Sequence, residues 1–167
     1  MNIKQTLISL LSAVCLTNPA IARVEDGTAD LIKTLDSNGV TIVIDDASCD
    51  TNKAHGVYSF VGMKRQMTLC PRGEVTAKDH ETVRHETAHA IQHCINMARG
   101  TAITTPIDND RDSFLASVES HLTDEFVAWI VDTYPEEHWY VEAEAFMMAH
   151  LFTAVELEEM FLKACTM

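Results

Sequence analysis

Apolar residues at Leu31, Ile32 and Leu35 recur at the spacing of one helix face. Thr28 to Ser37 therefore reads as a helix, with Gly39 as its stop. Val40-Thr41-Ile42-Val43-Ile44 is wholly β-branched and ends at two aspartates, the pattern of a strand. Gly56 to Gly62 and Gln66 to Cys70 read as two short strands of a hairpin around Met63-Lys64-Arg65, closed by Pro71. Thr76 and Asp79 are both good caps for a helix that runs to about Arg99, with Gly100 as its stop. Thr101 to Asp112 is a polar loop. Ser113 to Tyr134 then reads as one long amphipathic helix ended by Pro135. Glu136 to about Phe152 reads as a strongly apolar helix, and Val155 to Cys165 as a last one. The order predicts a single α+β domain: one helix, a small antiparallel sheet, then a mainly helical remainder.

The first 22 residues follow a different logic. Between Met1 and Ala22 the only charge is Lys4, and Thr6 to Leu16 is an apolar run of 11 residues. A bilayer needs about 20, so this run is too short to span one. Pro19 breaks the segment, and Ala20-Ile21-Ala22 places small residues where signal peptidase wants them. The expectation is a signal peptide at 1–22, a mature domain at 23–167, and a secreted or periplasmic protein. No later stretch is apolar for long enough to form a membrane helix.

Composition narrows the function classes. At 167 residues with 47% hydrophobic and 22% charged, the chain can bury a core and is too apolar for disorder. Its formal charge of −13 opposes binding to nucleic acid or to anionic lipid. No Gly-rich phosphate loop occurs. Export would remove Cys15 and leave Cys49, Cys70, Cys94 and Cys165, an even number in an oxidising compartment. Cys49 and Cys70 bracket the strand-rich segment, while Cys94 and Cys165 lie in predicted helices. Local pairing, Cys49–Cys70 and Cys94–Cys165, is expected.

The chemistry concentrates in His85-Glu86-Thr87-Ala88-His89, a H-E-x-x-H match. Residues four apart on a helix point the same way, so both imidazoles can face one ion. Glu86 lies about 100° around, where it can reach a water on that ion without being a ligand. This is the arrangement that zinc-dependent hydrolysis requires: the ion acidifies water and the carboxylate takes the proton. A catalytic zinc needs a third protein ligand. His93 lies about 6 Å along the axis from His89 and is poorly placed for it. Glu142 and Glu144 are better candidates, because both sit in an otherwise apolar helix where a buried carboxylate must be paired or bound to a cation. About 200° separates them on the helix, so only one can face the ion.

A H-E-x-x-H helix followed by a glutamate on a later helix resembles the gluzincin metallopeptidases, the thermolysin-like group. Glu142-Ala143-Glu144-Ala145 resembles the pattern around their glutamate ligand, and Glu142 satisfies more of it than Glu144. The resemblance implies a zincin-like core with the H-E-x-x-H helix at its centre. It further implies one Zn2+ per chain on His85, His89 and Glu142, Glu86 as general base, and a peptide or protein substrate. It also implies a substrate-binding edge strand, at Val57 to Val61 or Gln66 to Leu69, and a Tyr or His that stabilises the oxyanion. Tyr140 and His150 are nearest to Glu142 in sequence; Tyr134, His138 and His121 are also available. In many gluzincins an Asp four residues past the ligand orients a motif histidine; here Phe146 stands at that position. The rival reading is a non-catalytic secreted module, its motif either packing a helix or holding a structural metal closed off by a fourth ligand such as His93 or His150.

Overall fold

The computed structural model describes residues 27–44, 48–51, 54–61, 64–71, 76–102, 105–108 and 110–166. The expected signal peptide lies outside them. In chain order the elements are α1 (Thr28–Ser37), β1 (Val40–Ile44), a single turn α2 (Ser48–Thr51), β2 (Gly56–Val61) and β3 (Lys64–Leu69). They continue as α3 (Ala77–Arg99), α4 (Arg111–His121), α5 (Asp124–Thr133), a 3-10 turn (Glu136–His138), α6 (Trp139–Leu151) and α7 (Ala154–Cys165). The architecture is α+β, a three-stranded sheet with a dominant helical part.

The sheet corrects the expectation of a purely antiparallel arrangement. Its order is β1-β3-β2, with β2 antiparallel to β3 and β1 parallel to it. The chain between β1 and β3 contains β2 itself and is long enough for a parallel return. A run such as Val40 to Ile44 carries no mark of direction, so hydrophobic pattern alone could not tell the two cases apart. The arrangement leaves β2 on an edge and puts β3 in the centre. Of the two candidate edge strands, only the one at Val57 to Val61 lies at an edge of the sheet.

Helix α3 is the axis of the fold, packed against the sheet, α6 and α7. Its start is defined locally: Asp79 Oδ2 accepts from the Thr76 backbone N–H at 2.7 Å and from its hydroxyl at 2.6 Å. Its end is set by Gly100 at φ +67°, where the Thr101 N–H returns to the Asn96 carbonyl. One core cluster joins Leu31 and Leu35 of α1, Met67 of β3, Val83 and Ile91 of α3, and Leu157 and Phe161 of α7. Fully buried side chains of this size contribute about 1.5–3 kcal/mol each. A second cluster packs Phe114, Val118 and Ile130 on Ala143 and Met147 of α6.

The stretch expected as one helix from Ser113 to Tyr134 is two. Leu122 is extended, and the Thr123 hydroxyl oxygen accepts from the Phe126 N–H at 3.3 Å, capping a new helix. The break lets α5 fold back onto α6. Likewise Glu136–His138 form a 3-10 turn, and α6 itself begins at Trp139.

Candidate metal centre

Three side chains from two helices meet between α3 and α6. His85 Nε2 and His89 Nε2 lie 3.1 Å apart, and Glu142 Oε2 is 3.3 Å from the first and 3.5 Å from the second. Zinc bonds of about 2.0–2.1 Å at tetrahedral angles separate neighbouring ligand atoms by about 3.3–3.4 Å, which matches this triangle. The donor chemistry also fits a cation, because Glu142 Oε2 is buried without a hydrogen-bond partner of good geometry. Among the described residues His85, His89 and Glu142 are the group able to hold a metal ion. Burial pushes the Glu142 carboxyl up, but the two imidazoles outweigh it and hold the group down at about 2. Burial likewise opposes charge on His89, yet Glu142, Glu86 and Gln92 outweigh it and raise the imidazole to about 9.

These shifts give a testable pH dependence. A metal at His89 Nε2 must displace the proton held there below about pH 9. Metal binding between pH 7 and 8 should therefore release about one proton from His89, and apparent affinity should rise about tenfold per pH unit toward pH 9. Calorimetry in buffers of different ionisation enthalpy reads the proton count; a pH-flat affinity would remove His89 from the ligand set. For chelated protein the signs differ between the groups. The raised His89 contributes stability that is full below its ordinary 6.5 and lost as pH rises through about 9. The lowered Glu142 contributes stability present above its ordinary 4.5 and lost as pH falls toward about 2. Both terms are full together between about pH 4.5 and 6.5.

Glu86 sits beside the trio, 4% exposed. Its Oε2 accepts from the Tyr58 backbone N–H at 2.6 Å. The β2–β3 register turns the amides of Gly56, Tyr58 and Phe60 away from β3, so the outer edge of β2 faces α3. Glycine at position 56 allows this approach: a Cβ there would stand 2.5 Å from Thr82 Cγ2 and 3.1 Å from Glu86 Cγ.

Phe146, four residues past Glu142, stacks on His85 with ring centroids 4.1 Å apart. His85 Nδ1 correspondingly finds no hydrogen-bond partner. Phe146 also contacts Phe126, Trp129 and Tyr134, an aromatic shelf contributed by α5 and the residue after it. Burial, then the charges of Glu142 and Glu86 and a hydrogen bond to Glu142, push the Tyr134 phenol well above its ordinary value. Tyr140 and His150, the residues nearest to Glu142 in sequence, do not join. Tyr140 is 39% exposed with its hydroxyl 3.4 Å from Arg111 Nη2, and His150 is exposed on the last turn of α6. His121 bonds the Ser117 carbonyl of its own helix.

Glu144 is not with the trio. Its Oε2 accepts from Gln92 Nε2 at 2.9 Å and from the Ile107 N–H at 2.8 Å, and its Oε1 from the Asp108 N–H at 3.1 Å. Burial raises its carboxyl despite these donors. His93 is also committed elsewhere: its Nδ1 lies 2.7 Å from the Tyr58 hydroxyl. Beside the trio lies a cavity of about 270 Å³, lined by His89 and Glu142 together with Tyr58, Phe60, His93 and His138. Gln92 is a residue that the motif reading does not single out. A polar residue three positions past His89, on the buried face, was the available signal.

Both expected disulfides are present, Cys49–Cys70 and Cys94–Cys165. The second ties α7 to α3 five residues past His89. Among the described residues no helix is long and apolar enough to cross a membrane. Comparison with known proteins adds no relative: no family model, no curated protein and no solved structure matches the chain.

Proposed function

We propose that this chain is an exported zinc metallopeptidase of gluzincin type, with a zincin-like core, that hydrolyses peptide (amide) bonds. The observation that carries the reading is the convergence of two histidines and one buried glutamate, with a separate buried carboxylate, Glu86, beside them and a cavity at their side. His85, His89 and Glu142 would hold the ion; two imidazoles and one carboxylate suit zinc with a coordination position left open. Bound zinc supplies Lewis-acid polarisation of a carbonyl and acidifies water. Glu86 takes the proton of the attacking water and delivers it to the leaving amine. Its bond to the Tyr58 amide fixes the carboxylate for that transfer. Along β2, the outward amide and carbonyl of Phe60, a residue lining the cavity, would pair with an extended peptide.

A structural metal would be the rival, and a fourth protein ligand would favour it. His93 is bonded to Tyr58 and His150 is exposed, which weighs against that sphere. The two disulfides support an oxidising, extracellular or periplasmic location. The test is zinc content and peptide-library hydrolysis of the purified mature protein. One zinc per chain, lost in His89→Ala, with cleavage that chelator abolishes, is the expected result. No zinc after reconstitution would sink the reading.

A further inference from the structure

His89 presents Nε2 to the trio, and its other nitrogen, Nδ1, lies 2.8 Å from Gln92 Oε1. The Gln92 amide has no freedom to flip. Its Nε2 donates to the Val141 carbonyl and to Glu144 Oε2, both at 2.9 Å, and the Val141 carbonyl can only accept. Oε1 must therefore face His89, which requires a proton on Nδ1 and leaves Nε2 as the nitrogen that would give up its proton to a metal. Gln92 is 1% exposed, so water does not compete for these bonds.

Glu144 extends the chain outward. The same carboxylate that holds Gln92 accepts from the Ile107 and Asp108 amides. The segment 105–108 is fastened to α3 as well, by Asn96 Nδ2 to the Thr105 carbonyl at 2.6 Å and by Arg99 Nη1 to the Ile107 carbonyl at 2.7 Å. A loop that carries none of the three ligands is thus linked, through Glu144, to Gln92 behind one of them.

We propose that Gln92 and Glu144 are positioning residues of the metal centre, Gln92 fixing the tautomer of His89 and Glu144 fixing Gln92 while docking the 105–108 segment to it. The proposal rests on the metal reading above, and supplies the orienting group that Phe146 cannot.

The test uses the full mature protein, with Zn2+ affinity read by competition against a chromophoric chelator. Gln92→Leu, close in size, should weaken Zn2+ binding about 10–100-fold. Glu144→Gln should weaken it by a smaller factor and increase proteolytic cutting within residues 101–110. A packing role alone would not move a second readout, the exchangeable Nδ1 proton of His89 in the Co2+-loaded protein. That far-shifted resonance should be sharp in wild type and lost to solvent exchange in Gln92→Leu. Should Gln92→Leu fail to fold, Glu144→Gln carries the same readings. Zn2+ affinity within twofold of wild type in the folded variants, or an unchanged Nδ1 resonance, overturns the proposal while leaving the zinc site standing. Wild type that binds no zinc overturns both.

Discussion

Glu86→Gln should keep one zinc per chain and lose about 10²–10⁴-fold in peptide hydrolysis, the range expected when a general base is removed. The substitution isolates the base because Glu86 is not among the three converging donors. Gln is the same size, and its carbonyl oxygen can still accept from the Tyr58 N–H, so the buried side chain keeps its bond and β2 keeps its seat on α3. What disappears is the ability to hold and pass a proton. The rate loss should therefore appear in kcat as well as in kcat/KM, and zinc content should equal that of wild type. Zinc lost together with activity would make Glu86 a ligand and undo the division of roles. Full activity with zinc retained would move the base to another group.

The second large effect concerns the fold. Replacing Cys94 and Cys165 together with Ala should cost about 4 kcal/mol, because the bridge closes a sequence separation of 71 residues and restrains the unfolded chain strongly. The Cys49–Cys70 pair, 21 apart, should cost about 3 kcal/mol by the same loop-closure argument. The longer bridge also pins α7, whose Leu157 and Phe161 are fully buried in the main cluster around α3. Thermal unfolding of the double variant should fall by about 10–15 °C, measured with chelator present so that metal binding does not mask it. A change below about 1 kcal/mol would mean that the unfolded chain is already restrained, or that α7 holds by packing alone.

Several features were legible residue by residue because their causes are local. The start and stop of α3 depend on Thr76, Asp79 and Gly100, each acting within one turn. The shared direction of His85 and His89 follows from helical spacing. The disulfide partners followed from which elements the cysteines occupy. Elsewhere a local pattern misled. The apolar spacing from Ser113 to Tyr134 runs through the break at Leu122-Thr123, since a threonine that caps a helix looks the same in a sequence as one inside it. Tyr140 stood nearer to Glu142 along the chain than Tyr134, yet it faces Arg111.

The periodic and capping signals of this chain therefore specified α1, α3, α7, the strands as strands and the shared direction of the two motif histidines, because those depend on backbone geometry over a few residues. Whether Glu142 or Glu144 meets the histidines depends on how α6 is rotated against α3. That rotation is set by Ala143 and Met147 packing into one cluster and Ala145 and Met148 into another. The parallel seat of β1, the Tyr58 amide on Glu86 and the Gln92–Glu144 bond are likewise contacts between segments distant in sequence. No window of a few residues contains both partners, so packing alone decides them.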